Sequence, residues 1–174
     1  MKLSWSHKLF LKINQSVGKN PRLDSFMYFS CKWLIYFISL FLFVWVVYNT
    51  PGEQILSRII FFIIVILCSY SISLIIGGIL RKPRPEVEIP EMKQLVHTIA
   101  LWKSFPSDHT SIGFLMIFLA MMFGLSVYLL IPLLLCAGLV AVGRVYCGVH
   151  YPRDIVGGFI LAIAVSLFVN YFFI

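Results

Sequence analysis

Charge is scarce in this chain. Only 12% of its 174 residues are Asp, Glu, Lys or Arg, and the acidic ones number just seven. That leaves too little polar surface for a soluble domain of this size, which excludes an ordinary water-soluble fold. Cysteine is sparse and scattered. Cys31, Cys68, Cys136 and Cys147 stand singly with no CxxC, so neither a disulfide framework nor a thiolate metal or redox motif is expected. Internal repeats, low-complexity tracts and a second domain are absent. The first twenty residues, MKLSWSHKLFLKINQSVGKN, lack an unbroken apolar core, so no cleavable signal peptide is expected. A soluble basic face is also missing. The net charge of +7 therefore points to anionic lipid headgroups rather than to nucleic acid.

What the chain has is hydrophobicity: 60% of its residues are apolar, with a mean hydropathy of +0.95. Uncharged runs of 22 residues separate Arg58 from Arg81, 34 separate His109 from Arg144, and 20 follow Asp154. Each is long enough to supply membrane spans, which need about 20 residues apiece. Residues 3–18 place Leu3, Trp5, Leu9, Phe10, Ile13 and Val17 at helical spacing among Lys2, His7, Lys8 and Lys12, the pattern of an interfacial helix. Spans are expected at about 27–48, 56–80, two within 107–146 with a turn near Gly124 to Tyr128, and 153–174. The expected fold is an all-α integral membrane bundle of about five transmembrane helices with an N-terminal amphipathic helix at the interface. It forms one domain over 1–174, with 1–25 as the interfacial segment and 81–106 as an active-site loop region.

Five spans bring the end of the second, the start of the third, the end of the fourth and the start of the fifth to one membrane face. Three polar clusters sit at those places: Arg81-Lys82-Pro83-Arg84-Pro85, Phe105-Pro106-Ser107-Asp108-His109-Thr110, and Gly143-Arg144 followed by His150-Tyr151-Pro152-Arg153-Asp154. Arg84 and Arg144 carry planar forks that match phosphate oxygens and stay charged at any relevant pH, so they can neutralise a phosphoryl transition state without Mg²⁺. Ser107 precedes an apolar run and reads as an N-cap, leaving first-turn amides to face an anion. Pro152 suits the first position of the last helix and places Asp154 in its first turn, near His150. The carboxylate can then fix one imidazole nitrogen and leave the other to attack. His109, in the first turn of the third span, can protonate a leaving oxygen.

These residues resemble, in order and spacing, the type-2 phosphatidic acid phosphatase superfamily, whose pattern is K-x6-R-P, P-S-G-H and S-R-x5-H-x3-D. Arg84-Pro85 matches the end of the first motif. Pro106-Ser107-Asp108-His109 matches the second with Asp for Gly, and Arg144, His150 and Asp154 match the third with Gly143 for Ser. The resemblance covers residues 81–154. It implies a phosphohistidine on His150, oriented by Asp154, with His109 as acid and Arg84, Arg144 and Ser107 holding phosphate. No cofactor and no metal are expected, and no obligate protein partner is inferred. The first-motif lysine falls at Gly77, which cannot supply a cation; Arg81 and Lys82 are the candidates to replace it. Within the superfamily, SFPSDHT and GRVYCGVHYPRDIVGG look most like undecaprenyl pyrophosphate phosphatases, with lipid A 1-phosphatases and phosphatidylglycerophosphate phosphatases as the alternative. A non-catalytic lipid-phosphate binder or carrier is the alternative of another class, and a vanadate-dependent peroxidase a third.

Other polar residues read more simply. Arg153 is a span anchor; His97, Glu86, Glu88 and Glu91 are a solvated loop surface; Trp102, Phe105 and Tyr146 are interfacial aromatics. Asp108 is expected to point away from bound phosphate and to pair with a basic residue. The lysine and arginine distribution alone puts the site on the cytoplasmic face. The resemblance implies instead the periplasmic or extracellular face of a bacterial inner (plasma) membrane, and that is the expectation carried forward.

Overall fold

The computed structural model describes residues 4–89, 91–98 and 102–173. Among them it forms eight α-helices and no strand: α1 (Trp5–Asn14), α2 (Pro21–Lys32), α3 (Leu34–Asn49), α4 (Ile55–Leu80), α5 (Pro85–Glu88), α6 (Asp108–Met122), α7 (Val127–Tyr146) and α8 (Pro152–Phe173). The protein is an all-helical integral membrane bundle. Its outer surface is apolar, with Leu40, Ile64, Leu67, Ile75, Ile79, Leu135, Ile160 and Phe168 all exposed. Helices satisfy their own backbone groups, and this inverted surface suits hydrocarbon rather than water.

The stretch Gly52–Glu88 built on α4, together with α7 and α8, is long and apolar enough to cross a bilayer; α2 and α3 qualify only as a pair bent by 47°, and α6 is shorter. The bend differs from the single straight span expected at about 27–48. The helix already begins at Pro21, where Asn20 caps the amides of Arg22 and Leu23 and the proline ring suits the first turn. It breaks at Trp33, beside which Lys32 reaches Tyr28 Oη and lies over the Tyr28 and Trp33 rings. The remaining boundaries follow the apolar runs closely, because caps and glycines punctuate them.

α6 lies at the centre and packs against α3, α4, α7 and α8. One cluster fills the space between α3, α6 and α7 around Ile38, Leu42, Ile117 and Val140. A second joins α3, α4, α6 and α8 around Phe62, Leu115, Leu119 and Val165. At ~1.5 Å per residue α6 spans only about 22 Å and α4 about 39 Å. Asp108, the first residue of α6, bonds to Ser73 of α4. Seven residues of α4 follow Ser73, so the N-terminus of α6 is recessed by on the order of 10 Å below the end of α4.

That recess is roofed. α1 buries Phe10 against Val145 and Tyr151 while Trp5 and Leu9 remain exposed, so the helix presents one face to the protein and another to its surroundings. The loop after α5 is tied to α1 by Asn14, whose amide donates to Lys93 O and accepts from Lys93 N. Some residues read as surface groups are structural here. Tyr146 is buried and donates its hydroxyl to Asp24, because α2 covers the end of α7. Glu86 accepts from Gln94 and Thr98, gathering the loop rather than facing free solvent.

Candidate active site

The loop before α6 is positioned by small residues on α8. A methyl group added at Gly158 would stand 2.6 Å from Ser107 O, and one at Gly157 would run into the Phe105 ring. The absence of those methyls lets the loop before α6 lie directly on α8, one turn after Asp154. Ser107 donates its amide to Asp154 O at 3.0 Å, joining the two helix starts.

Ser107 occupies the N-cap position of α6, yet its hydroxyl does not cap the helix: Oγ accepts instead from Thr110 Oγ1 at 3.1 Å. The first-turn amides of a helix have no intrahelical acceptor, so those after Ser107 are donors for an anion. His109 sits in that turn, half-buried.

Asp154 is completely buried. Its Oδ2 accepts from Ser104 Oγ at 2.5 Å and from the Tyr151 amide at 2.8 Å. The same oxygen stands 3.6 Å from His150 Nδ1, an ion-pair separation longer than a hydrogen bond. Its Oδ1 lies 3.5 Å from Arg153 Nε. His150 is itself buried, in the turn between α7 and α8, with its amide donating to Arg144 O. Burial pushes the His150 pKa from 6.5 down to about 4; Arg144 and Arg84 push the same way, and Asp154 opposes them. The imidazole is therefore neutral at pH 7, with a lone pair on one of its ring nitrogens.

Arg144, in the last turn of α7, is buried with long contacts to Cys31 O at 3.4 Å and Cys31 Sγ at 3.7 Å. Its Nε has no hydrogen-bond partner among the described residues. A buried guanidinium so weakly satisfied is costly unless an anion completes it. Arg84 is buried at the N-cap of α5 and donates to Val149 O at 3.0 Å, next to His150.

Arg84, Arg144, Ser107, His109, His150 and Asp154 thus gather at one end of the bundle. Arg81 does not join them. Arg81 adopts the left-handed conformation (φ 43°, ψ 43°) that ends α4, and its exposed side chain turns back to Gly78 O. Lys82 is exposed. Sequence reasoning passed over Ser104, whose position three residues before Ser107 carries no motif, and over Lys103, which lies buried against Ser73 and Asp108.

An apolar-surfaced helical bundle that collects phosphate-matching guanidinium groups and a helix N-terminus in a recess at one end defines a membrane phosphatase. Residues 58–174 match the PAP2 superfamily, and the chain belongs to that family. It is 31% identical over 165 residues to the undecaprenyl-diphosphatase BcrC of Bacillus subtilis (strain 168), covering 92% of this chain and 80% of that protein. It is 30% identical over 161 residues to the bacitracin transport permease protein BcrC of Bacillus licheniformis, covering 92% and 76%. The fold is similar to the crystal structure of Aquifex aeolicus LpxE, with a TM-score of 0.74 at 23% identity over 98% of both chains. It is also similar to a PAP2-type phosphatidylglycerolphosphate phosphatase from Bacillus subtilis, with a TM-score of 0.65 at 17% identity over 98% of this chain and 87% of that one.

Proposed function

We propose that the protein removes the terminal phosphate of undecaprenyl diphosphate, or of a closely similar polyprenyl diphosphate, at the outer face of the bacterial plasma membrane. The observation that carries the mechanism is the neutral, buried His150 with Nδ1 turned toward Asp154 and Nε2 left over for attack. The substrate class is supported by the name and extended similarity of the B. subtilis relative. The apolar exterior and recessed site suit a substrate whose headgroup enters from the bilayer plane.

In the reaction, Arg84, Arg144 and the first-turn amides of α6 hold the terminal phosphoryl group. The Nε2 lone pair of His150 forms an N–P bond as the bridging P–O bond breaks, and His109 gives its proton to the departing oxygen. Water then attacks phosphorus, returning a proton to His109 and breaking the N–P bond. Inorganic phosphate leaves and His150 is restored. Asp154, held by Ser104 and the Tyr151 amide, fixes the tautomer and stabilises the charge that develops on the imidazole.

The test is phosphate release by purified protein in chelator, compared across undecaprenyl diphosphate, lipid A, phosphatidylglycerophosphate and phosphatidic acid. We expect the polyprenyl diphosphate to give the highest kcat/KM and His150→Ala to abolish release. A preference for lipid A or phosphatidylglycerophosphate would move the substrate assignment, full activity in His150→Ala would remove the nucleophile, and headgroup binding without turnover would mark a carrier. For orientation, Phe173 of the C-terminus meets Phe61 near the start of α4, at the end opposite the site. A reporter fused at the C-terminus is therefore expected on the cytoplasmic side.

A further inference from the structure

Of the three positions that depart from the family pattern, two are joined by one side chain: Gly77, where a lysine is expected, and Asp108, where a glycine is. The stem of Lys103 lies across Gly77: a methyl group there would stand 2.6, 2.8 and 2.9 Å from its Cγ, Cε and Cδ. Its ammonium ends one turn along α4, 3.0 Å from Ser73 Oγ and 2.5 Å from Asp108 Oδ1. Ser73 Oγ donates to that same carboxylate oxygen at 2.6 Å. The face of Tyr70 lies 5.6 Å from the ammonium.

Neither charge makes sense alone. Asp108 stands between Ser107 and His109, where a bare carboxylate would oppose any anion at the α6 N-terminus. Lys103 is buried, where an unpaired ammonium is expensive. We propose that Lys103 is a positioning residue of the phosphate site: it crosses the space left by Gly77 and cancels the charge of Asp108, so that the first turn of α6 stays open to an anion. The cation lost from α4 is thereby returned from the neighbouring loop, as a strut rather than as a direct phosphate ligand.

This inference rests on the phosphatase reading, and the test separates the two. Lys103→Met keeps an unbranched stem over Gly77 and removes only the charge. The expected result is a KM for lipid diphosphate raised about tenfold or more with kcat within about threefold, because an exposed like charge weakens anion binding. Lys103→Met/Asp108→Gly removes both charges and is expected to restore KM to within about threefold of wild type. An unchanged KM in the single variant overturns the proposal. So does a double variant as weak as the single, since Lys103 would then contact phosphate directly. Should Lys103→Met not fold, Asp108→Gly alone decides: a KM at or below wild type supports the strut, and a large rise overturns it. If the wild-type protein turns over none of the lipids, the phosphatase reading fails. The strut is then judged by the same pattern in affinity for inorganic phosphate, read by phosphorus NMR line broadening.

Discussion

Ser104 Oγ donates to Asp154 Oδ2 at 2.5 Å, and that oxygen is the one that faces His150 Nδ1. The serine is thus one step removed from the proposed nucleophile and acts through the carboxylate. Ser104→Ala is expected to lower kcat about tenfold, the equivalent of ~1.4 kcal/mol, by letting Asp154 drift from the imidazole. KM should hold, since Ser104 does not reach the phosphate. A fall in KM-controlled binding with unchanged kcat would place the serine elsewhere in the cycle.

His150 predicts an acid-side loss of stability. Its folded pKa is about 4 against an ordinary value of 6.5, because burial disfavours the charged ring. Between those values the unfolded chain binds the proton and the folded one does not, so stability rises with pH across this window. The contribution is fully present above about pH 6.5 and is lost as the pH falls toward 4. Thermal unfolding of wild type and His150→Gln in the same detergent from pH 4 to 7 checks this. The difference between the two should narrow or reverse toward acid; parallel curves would mean that His150 is not buried neutral.

α1 reaches the same turn from above. The His7 ring lies 4.6 Å from that of Tyr151, and Phe10 packs edge-on at 5.2 Å. His7 Nε2 stands 3.2 Å from Glu88 Oε2, which also lies 3.8 Å from Arg153. Tyr151 separates His150 from the start of α8, so this latch sets where the imidazole sits. His7→Ala and Glu88→Gln are each expected to lower kcat by roughly tenfold, because small misplacements of a reacting group are costly. Hydrogen exchange in the segment 147–153 should quicken in both. Slow exchange with unimpaired turnover would reduce α1 to a membrane anchor.

Much of this was legible in the residues. The runs before Arg81, after Asp108 and after Asp154 marked α4, α6, α7 and α8, because apolar segments of span length have few other uses. The spacing of Arg144, His150 and Asp154 pointed to a shared turn, and the structure gathers them. The bend at Trp33 was not visible, since no proline or glycine stands there to signal a break. Arg81 looked like a neighbour of Arg84, yet as the left-handed residue ending α4 it turns back to Gly78 O. Ser104 and Lys103 were missed for a related reason. Ser104's partner Asp154 is 50 residues away, and Lys103, though only five residues from Asp108, also meets Ser73 30 residues back, so the close packing of α6 on α4 and α8 is what brings these groups together.

That close packing gives the last prediction, because two glycines of similar local conformation face different surroundings. A methyl at Gly158 would meet Ser107 O at 2.6 Å, Thr110 Cβ at 3.1 Å and Ser111 N at 3.2 Å, all parts of α6 or its cap. Backbone cannot swing aside, so Gly158→Ala must push α6 from α8 and carry Ser107 and His109 with it. At Gly138 on α7 nothing lies within 4 Å. Gly138→Ala should therefore leave activity unchanged and stabilise the helix by about 0.5–1 kcal/mol, the usual gain in a helix interior. Gly158→Ala should destabilise by about 1–3 kcal/mol, as overpacking does, and lower kcat/KM for every lipid in proportion. Measured side by side for thermal unfolding and phosphate release, equal behaviour of the two variants would mean that the α6–α8 contact does not set the site.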